Sequence, residues 1–341
     1  MSKYGEHFIR EIEIKNYKLF KDFKAEGFGR VNLIGGKNNV GKTAFMEACY
    51  LIQNSYKYKE KENRERYYLE ILKLLFTIEE LRKKSDFIID WIREDFEFNI
   101  KNFNIHIDKF KLECRDFYLT PIEMQPNRGS WDFGTFNIND YNKNKYFNEI
   151  YKKNSLPKID NKKFISPYLN SNNLIKMIDD LKLQNRFDNI KKILQEIFNI
   201  TNIDVIKNKV MLFDREFKDI NEFGDGIKSY LSIILALISN KNDIIYIDEI
   251  ENGIHYTLFD KLWEIILTIS KEQNVQVFAT THSKECIESY ARVAQERKEQ
   301  YDDKDFTFIE MGKDKDKIKA IVYPTNWFID SIEDNEELRG W

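Results

Sequence analysis

Between positions 35 and 43 the chain reads GGKNNVGKT, so that Gly36, Gly41, Lys42 and Thr43 fall on the spacing G-x-x-x-x-G-K-[ST]. These residue types at this spacing can grip a polyphosphate. Glycines let backbone N–H groups turn toward phosphate oxygens, Lys42 brings a point charge to the outer phosphates, and the Thr43 hydroxyl can ligate Mg²⁺. Asn38, Asn39, Gly41, Lys42 and Thr43 are therefore candidate nucleotide contacts. Further along, IIYIDE at 244–249 ends an apolar run in two carboxylates, which are costly to hold there without a cation or solvent. Asp248 is the candidate metal ligand beside Thr43, and Glu249 the candidate base that orients or deprotonates an attacking water. VFATTHS at 277–283 ends another apolar run, with His282 just beyond it. Ligand groups in open α/β sheets collect at the carboxyl ends of strands, which puts His282 within reach of a γ-phosphate. In FGDGIKSYLSIILALIS at 223–239 the glycine turn of Gly224, Asp225 and Gly226 opens an apolar helix whose N-terminus offers backbone donors to an anion.

The elements needed to position these residues are visible in the pattern. FIREIEI at 8–14 alternates like a half-buried strand, and VNLIG at 31–35 is a short apolar run that leads straight into the glycine loop. KTAFMEACYLI at 42–52 has the spacing of a buried helix that begins at that loop. Helical spacing from about 55 to 95 gives way to short alternating runs at 96–118, as in a small antiparallel meander. Residues 120–165, rich in Asn and holding most of the prolines, read as irregular connections, and a helical region follows at 172–198. The last third predicts a helix at 226–239, a strand at 244–247, a helix at 254–271, a strand at 275–281, and two strands at about 306–311 and 318–323. Alternation of strands with helices favours a parallel sheet covered by helices. The expected division is a nucleotide-binding domain built from 1–54 and 201–341, with an inserted lobe at 55–200.

Composition bounds the function classes. A chain of 341 residues can bury a sizeable core, and its 33% charged residues are mixed in sign with a net charge of −3, which announces no general nucleic-acid binder. Neither an N-terminal apolar segment nor a membrane-spanning stretch is seen, so a cytoplasmic protein is expected. The three cysteines, Cys49, Cys114 and Cys286, form no CxxC pair and suggest no zinc site. NKND at 240–243 matches the guanine-reading NKxD pattern, but no DxxG segment precedes it.

The order of these motifs resembles the ABC-type ATPases, and within them the SMC, RecF and OLD-nuclease lineage. The residues that carry the resemblance are NYKLFKDF (16–23), VNLIGGKNNVGKT (31–43), FGDGIKS (223–229), IIYIDEIENGIH (244–255) and ATTHS (279–283). It implies an α/β P-loop NTPase resembling an SMC head, with a mixed sheet and an inserted helical and antiparallel lobe, using ATP and Mg²⁺. Asp248 and Glu249 match the Walker B pair, Glu251 to His255 fall at the dimer-contacting D-loop, and His282 matches the switch histidine. Gly224, Asp225 and Gly226 occupy the signature motif, which in the family binds the γ-phosphate of ATP held by the opposite subunit. A homodimer or higher homo-oligomer is thus implied. Two departures stand out: Gly224 replaces the usual signature serine, and Gln125 is only a candidate for the Q-loop. The segment between Lys42 and Asp248 is too short for a long coiled coil, and no acidic nuclease domain follows His282. By analogy the chain is expected to be the sensor or scaffold ATPase of a prokaryotic defence system with a separately encoded nuclease or toxin as partner. A DNA-binding repair or chromosome-maintenance ATPase is the rival.

Overall fold

The computed structural model describes residues 7–59, 96–118, 164–165 and 171–334, with gaps at 101–102, 109–110, 115–116, 185, 208, 214–215 and 303–304, together with Leu338. In chain order, a hairpin of β1 (Glu11–Tyr17) and β2 (Phe20–Glu26) precedes strand β3 (Val31–Gly36) and helix α1 (Lys42–Lys59). Short strands β4 (Phe96–Ile100), β5 (Phe103–Asp108), β6 (Lys111–Cys114), β7 (Phe117–Tyr118) and β8 (Phe164–Ile165) follow, then helices α2 (Ser171–Leu183) and α3 (Asp188–Phe198). A meander of β9 (Asn202–Ile206), β10 (Lys209–Phe213) and β11 (Phe217–Asp219) leads into α4 (Asp225–Ser239). The last third holds β12 (Ile244–Ile247), α5 (Phe259–Gln273), β13 (Gln276–Thr280), α6 (Lys284–Arg297), β14 (Phe306–Asp314), β15 (Lys317–Pro324) and α7 (Thr325–Glu333).

The apolar runs form the middle of one mixed sheet in the order β15-β14-β3-β13-β12-β8. Strands β8, β12, β13, β3 and β14 are mutually parallel, while β15 closes the edge antiparallel to β14. Every residue of β3, β12 and β13 is buried, as expected for parallel strands covered on both faces. The register pairs Ile247 with Ala279 and Thr280 with Ile34, so the strand ends that lead to Asp248, His282 and the glycine loop lie along one edge. A second, antiparallel sheet runs β2-β1-β4-β5-β6-β7. Helix α1 lies between the two sheets, where Phe45 meets Phe23 of β2 and Phe278 of β13 with ring centroids 5.8 and 6.1 Å apart. The opposite face of the mixed sheet packs on α4, α5 and α6. Helix α4 is apolar nearly all round, from Tyr230 to Ile238, because it is enclosed rather than laid on a surface.

The first strand begins at Glu11 rather than at Phe8. Phe8 and Ile9 are both buried, which a strand alternating between two faces would not give, and the backbone of Ile9 is paired by a side chain instead of a strand: Gln276 Oε1 accepts from Ile9 N at 2.8 Å and Nε2 donates to Ile9 O at 2.9 Å. The helix predicted from 254 starts as an α-helix only at Phe259, after a 3-10 turn at Tyr256–Leu258. Within 55–200, β4 extends the β1–β2 sheet and β8 pairs with β12. Leu174, Met177, Ile178 and Leu181 of α2 and Ile190 and Leu194 of α3 share one core with α4. The helical pattern over 60–95 and the connections at 119–163 lie outside the described residues. Among the described residues no helix is long and apolar enough to cross a membrane.

Under the opposite edge of the sheet, Arg30 is buried against Asp305, with Nε donating to Oδ1 at 2.9 Å and Nη1 to the Ser270 carbonyl at 3.1 Å. Removing one partner strands the other charge in the core. Asp305→Ala is expected to cost about 3–5 kcal/mol, read as a lower urea midpoint at unchanged slope. Arg30→Met/Asp305→Leu should recover much of that loss.

Candidate active site

The glycine loop is shaped by packing as much as by any ligand. Strand β3 ends beside β14, where a Cβ on Gly36, whose φ is +148°, would stand 2.4 Å from the Met311 carbonyl oxygen. Only glycine lets the chain turn there. Lys37, Asn38 and Asn39 are then exposed, Asn39 in a left-handed conformation at φ +63°, while Val40 turns inward and α1 begins at Lys42.

Lys42 is buried, with 5% of its surface exposed. Its Nζ donates to the carbonyls of Gly36 at 2.7 Å and Lys37 at 3.0 Å and lies 3.2 Å from His282 Nδ1. Three donors thus meet three acceptors. Burial pulls the ammonium down to about 8, against the opposing pull of Glu251, then Asp248, then Glu249. His282 is also lowered, first by burial and then by the charge of Lys42. Both causes favour a neutral ring, and an ammonium on Nδ1 assigns the ring proton to Nε2.

Asp248 and Glu249 diverge at the end of β12. Asp248 Oδ1 accepts from Thr43 Oγ1 at 3.1 Å and from Thr280 Oγ1 at 2.8 Å, while its backbone N–H donates to Ile165 O at 2.8 Å. The Thr280 hydroxyl in turn accepts from the Glu249 N–H at 2.9 Å. Glu249 is exposed and held at φ +51°, an uncommon backbone conformation for a side chain of this size. The loop after it is pinned too, with Ile250 N bonded to Thr280 O and Asn252 N to Glu249 O. Glu251 folds back so that Oε1 accepts from the His282 backbone N–H at 2.7 Å.

Among the described residues no cluster of three or more His, Cys, Asp or Glu could hold a metal by itself. One carboxylate and one hydroxyl, hard oxygen donors side by side, fit Mg²⁺ in the way that ion usually binds, with phosphate and water completing its shell. Asp248 and Thr43 would hold it, and the requirement for phosphate ties metal to nucleotide.

Lys42, Thr43, Asp248, Glu249 and His282 therefore come together from three separate parts of the chain, joined by the bonds above. Gly224, Asp225 and Gly226 sit at the start of α4, against the 249–255 loop. A Cβ on Gly226 would stand 2.5 Å from the Gly253 carbonyl oxygen, and Asp225 is exposed. Thr280 is not marked as a site residue by the sequence reading, and Glu251 enters it only as the start of the D-loop; a hydroxyl closing an otherwise apolar strand is the signal that marks Thr280. Gln125 lies outside the described residues. The NKND segment is spent on structure: Asn240 caps the Ala236 carbonyl at 2.8 Å, and Asp243 accepts from its own chain at Ile244 N and from Gln53.

The family model described as "AAA domain, putative AbiEii toxin, Type IV TA system" matches residues 31–288, more than half of the chain, from the start of β3 into the beginning of α6. A protein named ATP/GTP phosphatase from Helicobacter pylori is 27% identical, over 85% of this chain and 89% of that protein. DNA replication and repair protein RecF of Bacillus cytotoxicus is 38% identical, but over 17% of this chain and 16% of its own length. A solved SMC head bound to the C-winged helix domain of ScpA covers 93% of this chain and 98% of that one, at 12% identity and a TM-score of 0.48. The phosphate loop between β3 and α1, with acidic and histidine-bearing ends on the neighbouring parallel strands, makes this an α/β P-loop NTPase with a mixed sheet.

Thr280→Val keeps shape while removing the hydroxyl that holds both Asp248 and the Glu249 backbone. Turnover of nucleoside triphosphate is expected to fall about 10- to 100-fold at unchanged fold, measured by phosphate release beside circular dichroism.

Proposed function

We propose, for a chain that belongs to the family of AAA domains described as putative AbiEii toxin of a type IV TA system and is an ATPase of that kind, that hydrolysis is Mg²⁺-dependent and occurs at a composite site between two copies. The observation that carries this reading is the bond chain from Thr43 through Asp248 and Thr280 to Glu249, closed on the other side by Lys42 and His282. Lys42 and the loop N–H groups position the phosphates, and Asp248 and Thr43 hold the metal, which when bound neutralises charge on the transferred phosphoryl group. Glu249 faces solvent from a fixed backbone and accepts or orients the proton of the attacking water. Neutral His282 donates through Nε2 to the γ-phosphate. Most of the rate enhancement is positioning and charge stabilisation.

The composite arrangement is supported by Gly224, Asp225 and Gly226. They present an exposed helix N-terminus that is packed on Gly253 rather than on the chain's own phosphate loop, which suits capture of a phosphate held by a second copy. His255 and Tyr256 lie tilted against each other at 4.5 Å between ring centroids in the same loop region, with Tyr256 exposed, and offer an aromatic contact to that copy. The biological role follows by analogy: a sensor or scaffold ATPase in a prokaryotic defence or toxin–antitoxin system, acting with a separately encoded effector. The family description supports it. A repair or chromosome-maintenance role is the second reading, supported by the short match to RecF.

Glu249→Gln is expected to retain ATP binding and lose at least about 100-fold in turnover, whereas Lys42→Ala loses both. Phosphate release that rises faster than linearly with protein concentration, and that chelation of divalent metal abolishes, would support the composite site. Turnover that stays linear in protein, or full activity in Glu249→Gln, would sink it.

A further inference from the structure

We propose that Glu251 is a positioning residue with two separable tasks: its Oε1 anchors the His282 turn, and its negative charge competes with nucleotide for Lys42. This rests on the reading of Lys42 and His282 as phosphate contacts.

Three observations meet at this carboxylate. Oε1 accepts from the His282 backbone N–H at 2.7 Å, so the ring that faces Lys42 is fixed by a residue of the neighbouring loop. Oε2 is buried and has no hydrogen-bond donor among the described residues, although a carboxylate oxygen removed from water normally finds one. Among the acids acting on Lys42, Glu251 exerts a larger pull than Asp248 or Glu249. A carboxylate with one oxygen committed and the other buried near a cation remains there because it serves that cation and the adjoining turn.

The loop gives this contact a longer reach. Glu251 O accepts from Ile254 N at 3.0 Å, and Gly253 between them is the residue against which Gly226 packs. Glu251 therefore stands between the histidine of one half-site and the glycine turn offered to the other. Phosphate arriving at Lys42 meets a site where a buried negative charge already attracts the ammonium through space. Affinity is lowered, and nucleotide binding must loosen the Lys42 arrangement before His282 can turn to phosphate.

Glu251→Gln keeps an acceptor for the His282 N–H and loses the charge; Glu251→Ala loses both. Equilibrium binding of ATP with Mg²⁺, steady-state kinetics and thermal unfolding of the nucleotide-free full chain are measured for each, with Glu249→Gln in parallel. Glu251→Gln is expected to bind ATP about two- to tenfold more tightly with kcat within about threefold of the parent. Glu251→Ala should also bind more tightly while kcat falls about tenfold or more. Unchanged affinity in both variants, or equal loss of kcat in both, overturns the proposal. A purely structural residue would lower the unfolding temperature of Glu251→Ala and leave the affinity of Glu251→Gln where it was, which also overturns it. Full turnover in Glu249→Gln overturns the assignment of the base, while the affinity readout still decides the case of Glu251.

Discussion

A lysine ammonium enclosed at the carboxyl edge of a parallel sheet sets the terms for everything around it. Lys42 has no carboxylate in direct contact among the described residues; it is held by two carbonyls of its own loop and by a histidine nitrogen. Such a charge is tolerable only where acceptors are fixed in advance. The β3 end must therefore approach β14 closely enough to aim the Gly36 carbonyl, which demands glycine. His282 must be neutral to accept, and partial desolvation followed by the charge of Lys42 shifts it in that direction. Three acids stand far enough away to moderate the charge without cancelling it. Anionic phosphate is the ligand such a site is built to receive.

The second constraint is that one short strand serves two masters. β13 lies between β3 and β12, so its last residue faces both the phosphate loop and the acid-ended strand. Thr280 uses its single hydroxyl as donor to Asp248 and acceptor from Glu249 N, while its carbonyl pins Ile250. The turn at Glu249 is thereby held in a left-handed conformation that its own side chain disfavours. A rigid sheet thus holds the backbone of an exposed carboxylate, which is what a residue acting on water requires.

The loop from Glu249 to His255 joins this centre to the glycine turn of α4. A Cβ on Gly226 would stand 2.5 Å from the Gly253 carbonyl oxygen, and Gly253 is itself held at φ +74°. The contact between the two turns is therefore made by backbone rather than by flexible side chains.

How much of this could be read in the chain depends on the distance over which each interaction acts. The strand–loop–helix around Lys42, the acid-ended run at 244–249 and the run before His282 are local patterns of hydrophobicity and turn residues, and each produced its element nearly where expected. Even the one shifted strand start, at Glu11, reflects a remote cause, since Gln276 takes the backbone groups of Ile9 across most of the chain. The tasks of Thr280 and Glu251, the pairing of β8 with β12, and the spending of NKND on structural bonds were decided only by tertiary packing. Those contacts join residues far apart in sequence, and no periodicity or spacing encodes them. The sequence by itself determined that a lysine in a glycine loop, two acids and a histidine would each follow a buried strand. Only the order of those strands in the sheet decided that they would face one another, because the register of neighbouring parallel strands is set by the packing of both faces at once.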